Sequence, residues 1–87
     1  MKTKTKIMIV DDAEMNREIL MVILGDEYEY VQAENGRQAI HILQQDMNID
    51  LMLLDINMPE MNGFQMLDRM NTFHWINDIP VIMISSE

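Results

Sequence analysis

Four short apolar runs, separated by stretches whose apolar residues recur at helical spacing, account for most of the chain. Ile7 to Val10 is continuous and rich in β-branched residues, the pattern of a strand buried on both faces, and Asp11 and Asp12 end it. From Ala13 onward, Met15, Ile19, Val22 and Ile23 recur at i, i+4, i+7 and i+8 before Gly25, which predicts an amphipathic helix with that stripe as its apolar face. Tyr30 to Ala33 reads as a second strand closed by Glu34-Asn35-Gly36, after which Ala39, Ile40 and Leu43 form a narrow helical stripe ending near Gln45. Leu51 to Leu54 is a third buried run, with Asp55 at its carboxyl end ahead of a Met58-Pro59 breaker. Beyond Asn62-Gly63, Phe64, Leu67 and Met70 sit at helical spacing. Asn71 to Asp78 is a polar connection carrying Trp75, and Pro80 opens the fourth run, Val81 to Ile84, before Ser85-Ser86-Glu87. The order βαβαβαβ predicts an α/β fold with an open parallel sheet and right-handed crossovers.

In such a sheet, ligands gather outside the carboxyl ends of the strands, where strand order reverses. Asp11, Asp12, Asp55 and Ser85 all fall there. With strands in the order 2-1-3-4, three carboxylates converge on a small volume, and like charges that close cannot all stay ionised unaided. Hard oxygen ligands of this kind suit Mg²⁺, which takes one or two carboxylates, keeps several waters and shares them with a phosphate. An aspartate in that setting can act as a nucleophile toward a phosphoryl donor.

Composition narrows the field. The chain has 87 residues, 48% of them hydrophobic, enough for one small core. The longest uncharged apolar run, Ile19 to Leu24, is far below the roughly twenty residues of a membrane span, and the lysines before Ile7 lead into a run that aspartates interrupt, unlike a signal peptide. A soluble, cytoplasmic protein is expected. The absence of cysteine excludes disulfides and thiolate metal sites. Fifteen acidic against six basic residues leave a net charge of −9, which repels nucleic acid and favours cations.

Asp11-Asp12, Leu51 to Asp55, Met58-Pro59-Glu60-Met61-Asn62-Gly63 and Pro80 to Ser85 together resemble the signature of receiver domains in two-component response regulators, the CheY-like family. The resemblance runs the length of the chain and implies a flavodoxin-like sheet. It also implies that Asp55 is the phosphoacceptor, taking its phosphoryl group from a sensor histidine kinase, a phosphotransfer protein or a small acyl phosphate. By the same resemblance Asp12 binds Mg²⁺ directly, Asp11 mainly through water, and the backbone carbonyl of Asn57 completes the protein ligands. Ser85 takes the place of the switch hydroxyl that turns toward the phosphoryl group. Asn57 and Glu87 take the positions that tune phosphate lifetime.

The family pattern continues with a fourth helix, a fifth strand carrying a lysine, and a fifth helix. Residues 1–87 are therefore expected to be one truncated receiver domain, with metal binding surviving better than phosphotransfer. Lys6 lies at the wrong end of the first strand to replace that lysine, and Arg17, Arg37 and Arg69 are expected on helices, Arg17 and Arg69 as solvated charges. The fourth strand, as an exposed apolar edge, predicts self-association.

Simpler readings apply elsewhere. Asp11 or Asp12 is expected also to cap the following helix. His41 and His74 lack metal-ligating companions and read as surface residues. The eleven methionines, including Met47, Met52 and Met83, are expected to fill the core, with Met61 and Met66 near enough to the site for a partner surface. Trp75 reads as a packed loop aromatic. Aspartyl phosphatases of the haloacid dehalogenase type need a second acid where Asn57 stands, and nucleotide-binding folds need a glycine-rich loop that is absent. The serious rival is a degraded receiver acting as a non-catalytic interaction module.

Overall fold

The computed structural model describes residues 4–46 and 48–85. Its elements are β1 (Lys6–Val10), α1 (Glu14–Leu24), β2 (Glu29–Ala33), α2 (Gly36–Gln45), β3 (Leu51–Asp55), α3 (Gly63–Thr72), a 3-10 turn at Trp75–Asn77, and β4 (Val81–Ile84). The four strands form one parallel sheet in the order β2-β1-β3-β4, as the alternation of strand and helix predicts.

Strand periodicity divides the interior into two layers. Met8, Val10, Met52 and Leu54 point to one face and pack with Ala39 and Leu43 of α2 and Met66 and Met70 of α3. Ile7, Ile9 and Leu53 point to the other and meet Leu20, Met21 and Leu24 of α1. The helices start where side chains satisfy free N–H groups. Asn35 accepts from the Gln38 N–H at 2.8 Å. Asn62 and Gln65 form a reciprocal capping box at the head of α3. Trp75 stacks on Phe73 at 4.6 Å between centroids and leans on the core, as expected of a packed loop aromatic.

Three assignments of faces differ from expectation. Met15, Ile19, Val22 and Ile23 do not face the sheet: Val22 is 81% and Ile23 72% exposed. The inward stripe of α1 is Arg17, Leu20, Met21 and Leu24, spaced i, i+3, i+4 and i+7. Both stripes have helical period, so period alone could not choose between them. On α3, Phe64 is 61% exposed while Met66 is fully buried, so Met66 belongs to the core and offers no partner surface. Arg17 is buried rather than solvated, at 8% exposed. His41, His74 and Arg69 are exposed as expected, Arg37 lies on α2 as expected, and Met47 lies outside the described residues.

Candidate metal centre

Register brings the acids together. Val10 pairs with Leu54 across the β1–β3 ladder, so the next residue on each strand, Asp11 and Asp55, leaves the sheet at the same level. Both are completely buried. Asp12, one residue on, is exposed. One carboxylate oxygen from each of Asp11, Asp12 and Asp55 lies within 4.8 Å of the other two. Asp55 pairs with Ile84 of β4, which sets Ser85 just past the level of Asp55. Ser85 is exposed and shares a cavity of about 300 Å³ with Asp11, Asn16, Ile19, Leu20 and Ile84.

The loop after β3 is shaped around Asp55. Its Oδ1 accepts the Asn57 N–H at 3.1 Å, folding the chain back over the carboxylate. The Met61 N–H donates to the Pro59 carbonyl at 2.7 Å, which puts Glu60 at the centre of a three-residue turn with φ 65°, an uncommon conformation for a residue with a side chain. Gly63 then starts α3 directly against the strand end: a Cβ there would stand 2.7 Å from the Asp55 carbonyl oxygen and 2.9 Å from the Ile56 Cα. Only glycine allows that approach.

Neither Asp11 nor Asp12 caps α1 through its side chain, contrary to expectation. The N-cap is Ala13, and Asp11 Oδ1 instead accepts the Ala13 N–H at 2.9 Å in the turn before the helix. Asp11 Oδ2 is buried without a hydrogen-bond partner. Such orphaned polar atoms are rare and call for an explanation. Burial pushes the Asp11 carboxyl above the usual carboxylate range, the Asp55 and Asp12 charges add to this, and the Ala13 N–H and the neighbouring Asn16 amide pull the other way. An orphaned buried oxygen among three carboxylates fits a small hard cation, which would complete its coordination and relieve the repulsion.

No lysine among the described residues serves the site. Lys6 sits at the opposite end of the sheet, where its Nζ meets Asp46 Oδ2 at 3.1 Å and Glu29 Oε2 at 3.3 Å. Lys4 Nζ donates to the Asp26 carbonyl. The cation that does approach is Arg17, whose Nη1 donates to the Asp11 carbonyl at 2.6 Å. Sequence reasoning missed it because its charge outweighed its spacing, three, four and seven residues from Leu20, Met21 and Leu24. Glu87 lies outside the described residues.

Fold and site together define an acidic pocket at the carboxyl end of a parallel α/β sheet. The chain matches the response regulator receiver domain family over residues 7–87. It is 32% identical to the two-component response regulator ORR3 of Oryza sativa subsp. indica, covering all of this chain and 72% of that protein. It is 40% identical over 81 residues to the response regulator RR06 of Streptococcus pneumoniae, covering 92% of this chain and 36% of that protein. The response regulator TrrA of Thermotoga maritima, solved in complex with Mg²⁺-BeF, superposes with a TM-score of 0.83 at 32% identity, covering 95% of this chain and 70% of that one. This chain belongs to the family of response regulator receiver domains. Receiver domains of two-component systems bind Mg²⁺ at the acidic pocket and interact with histidine kinases or phosphotransfer proteins. Among the described residues, no helix is long and apolar enough to cross a membrane.

Proposed function

We propose that this receiver domain accepts a phosphoryl group on Asp55 in a Mg²⁺-dependent reaction, as a cytoplasmic component of a two-component system. The observation that carries this reading is the convergence of buried Asp55 with Asp11 and Asp12, one oxygen of the Asp11 carboxylate lacking any partner. The carboxylates of Asp11, Asp12 and Asp55 and the backbone carbonyl of Asn57 would hold the ion. Bound there, Mg²⁺ supplies charge neutralisation to both the attacking carboxylate and the incoming phosphoryl oxygens. An oxygen of Asp55 forms the new P–O bond while the P–N bond of a kinase phosphohistidine breaks, its electron pair returning to the imidazole. The Asn57 N–H orients the Asp55 carboxylate for this attack. Ser85, which lines a cavity together with Asp11, would turn its hydroxyl toward the added charge of about −1.5 to −2. The β4 edge, where Ile82 is 51% exposed, supports self-association by strand pairing. Light scattering tests that part: a monomer at every concentration removes it.

The central test is incubation with acetyl phosphate and Mg²⁺, read by intact mass, beside Asp55→Asn and a metal-free control. The expected result is a gain of one phosphoryl group that both controls abolish. An unmodified chain that still binds Mg²⁺ would reject the phosphoacceptor reading and leave a binding module.

A further inference from the structure

Resting on the reading of the acidic pocket as a Mg²⁺ site, we propose that Arg17 is a positioning residue: it holds the Asp11-Asp12 turn in the shape that Mg²⁺ requires. The hydrogen-bonding atoms of Asp11 are almost all committed. Its N–H donates to the Ala33 carbonyl at 3.1 Å, tying it to β2. Its carbonyl accepts from Arg17 Nη1 at 2.6 Å, and its Oδ1 accepts from the Ala13 N–H at 2.9 Å. Oδ2 alone is left over. With the peptide anchored before and after the Cα and one carboxylate oxygen pinned, the remaining oxygen has little freedom of direction.

Arg17 is itself anchored. Its Nε donates to Gln32 Oε1 on β2 at 2.9 Å, and its backbone N–H donates to the Ala13 carbonyl at 3.2 Å. From the first turn of α1, the guanidinium therefore links the end of β1 to the adjacent strand β2, and only 8% of the residue's surface is exposed. A planar fork with fixed donors can span two acceptors at a set angle, whereas a lysine ammonium is a point charge on a flexible stem. The bond to Asp11 is charge-assisted and short, the kind that fixes geometry. It falls on the main-chain carbonyl and leaves the carboxylate to a ligand. The arrangement matches the outer-shell contacts that orient metal ligands from behind.

Positioning should matter more for Mg²⁺ than for Ca²⁺, because Mg²⁺ demands near-ideal octahedral geometry at short distances and Ca²⁺ accepts irregular, longer coordination. The test is Mg²⁺ and Ca²⁺ titration calorimetry on the full chain, on Arg17→Lys, which keeps the charge and loses the fork, and on Gln32→Leu, which releases only the outer anchor. Circular dichroism in chelator reports folding separately. Arg17→Lys is expected to stay folded and weaken Mg²⁺ binding by about tenfold, with a smaller loss for Ca²⁺, so that the preference between the ions narrows. Gln32→Leu is expected to move both in the same direction by less. A folded Arg17→Lys chain with unchanged Mg²⁺ affinity and unchanged ion preference overturns the proposal, whatever its melting temperature, since that is a purely structural role. Should Arg17→Lys not fold, an unchanged ion preference in Gln32→Leu overturns it equally. If the wild-type chain binds no Mg²⁺, the reading of the pocket falls, and the role of Arg17 falls with it.

Discussion

Replacing Asp11 by asparagine is expected to stabilise the metal-free fold while abolishing its response to Mg²⁺. One oxygen from each of the three carboxylates lies within 4.8 Å of the others. Two full charges at that separation repel by about 0.9 kcal/mol in bulk water and about 3.5 kcal/mol at an effective dielectric near 20. Asp11→Asn removes two of the three pairwise repulsions and keeps the shape of the side chain, including the oxygen that accepts from Ala13. The full repulsion is not recovered, because Asp12 is exposed and solvent screens its share of it; burial is the chief cause that raises the Asp11 carboxyl above its usual value. A gain of about 1 kcal/mol, typical of relieving a strained functional site, is the expected result. For a domain of this size it corresponds to a rise of about 4–8 °C in Tm.

The pH dependence follows from the same shift. A carboxyl raised in the folded state binds its proton more tightly there than in the unfolded chain, so wild-type stability falls as pH climbs through the interval above the unfolded value of 3.8. Asp11→Asn lacks this loss. Its advantage is therefore largest at neutral pH and shrinks toward zero near pH 4. Thermal denaturation in chelator across that range measures it, with Glu14→Gln, an exposed acid removing the same net charge, as control. No stabilisation at neutral pH beyond that of the control, or a gain as large near pH 4 as at neutrality, would refute the reasoning. Added Mg²⁺ should raise the wild-type Tm with the logarithm of its concentration once this exceeds the dissociation constant, and leave Asp11→Asn unmoved.

Gly63→Ala places a methyl group against the Asp55 carbonyl and the Ile56 backbone, which cannot yield as a side chain would, so denaturant titration is expected to find a loss of about 2 kcal/mol. Met66→Ala, from a fully buried position, is expected to cost about 2–5 kcal/mol by the same measurement, whereas the 61% exposed Phe64→Ala changes stability by about 0.5 kcal/mol or less. Equal losses for the two would mean that α3 is rotated from the orientation described. On α1, Val22→Lys is expected to be nearly neutral, within about 0.5 kcal/mol, and Leu20→Ala to cost about 2 kcal/mol; the reverse order would restore the stripe that spacing first proposed.

Much of the architecture was legible because it depends on local chemistry. Apolar runs rich in β-branched residues at Ile7 to Val10 and Val81 to Ile84, and the apolar run Leu51 to Leu54, read as strands, β1 and β3 buried and β4 a half-covered edge, and the acids that end two of them mark carboxyl ends whatever the neighbours do. The motif around Asp55, Pro59 and Gly63 likewise carries its turn in its own residues. What the sequence could not decide was how elements rotate and meet. Helix α1 has two apolar stripes of equal period, and only contact with Ile7, Ile9 and Leu53 selects Leu20, Met21 and Leu24. Arg17 looks solvated until Asp11 and Gln32, six residues before it and fifteen after it, supply acceptors that let its charge be buried. The site is also a product of register: Asp11 and Asp55 are 44 positions apart in the chain, and the pairing of Val10 with Leu54 is what brings them side by side. Local propensity determines the pieces of this protein, and long-range pairing and burial determine that three of its acids share one pocket.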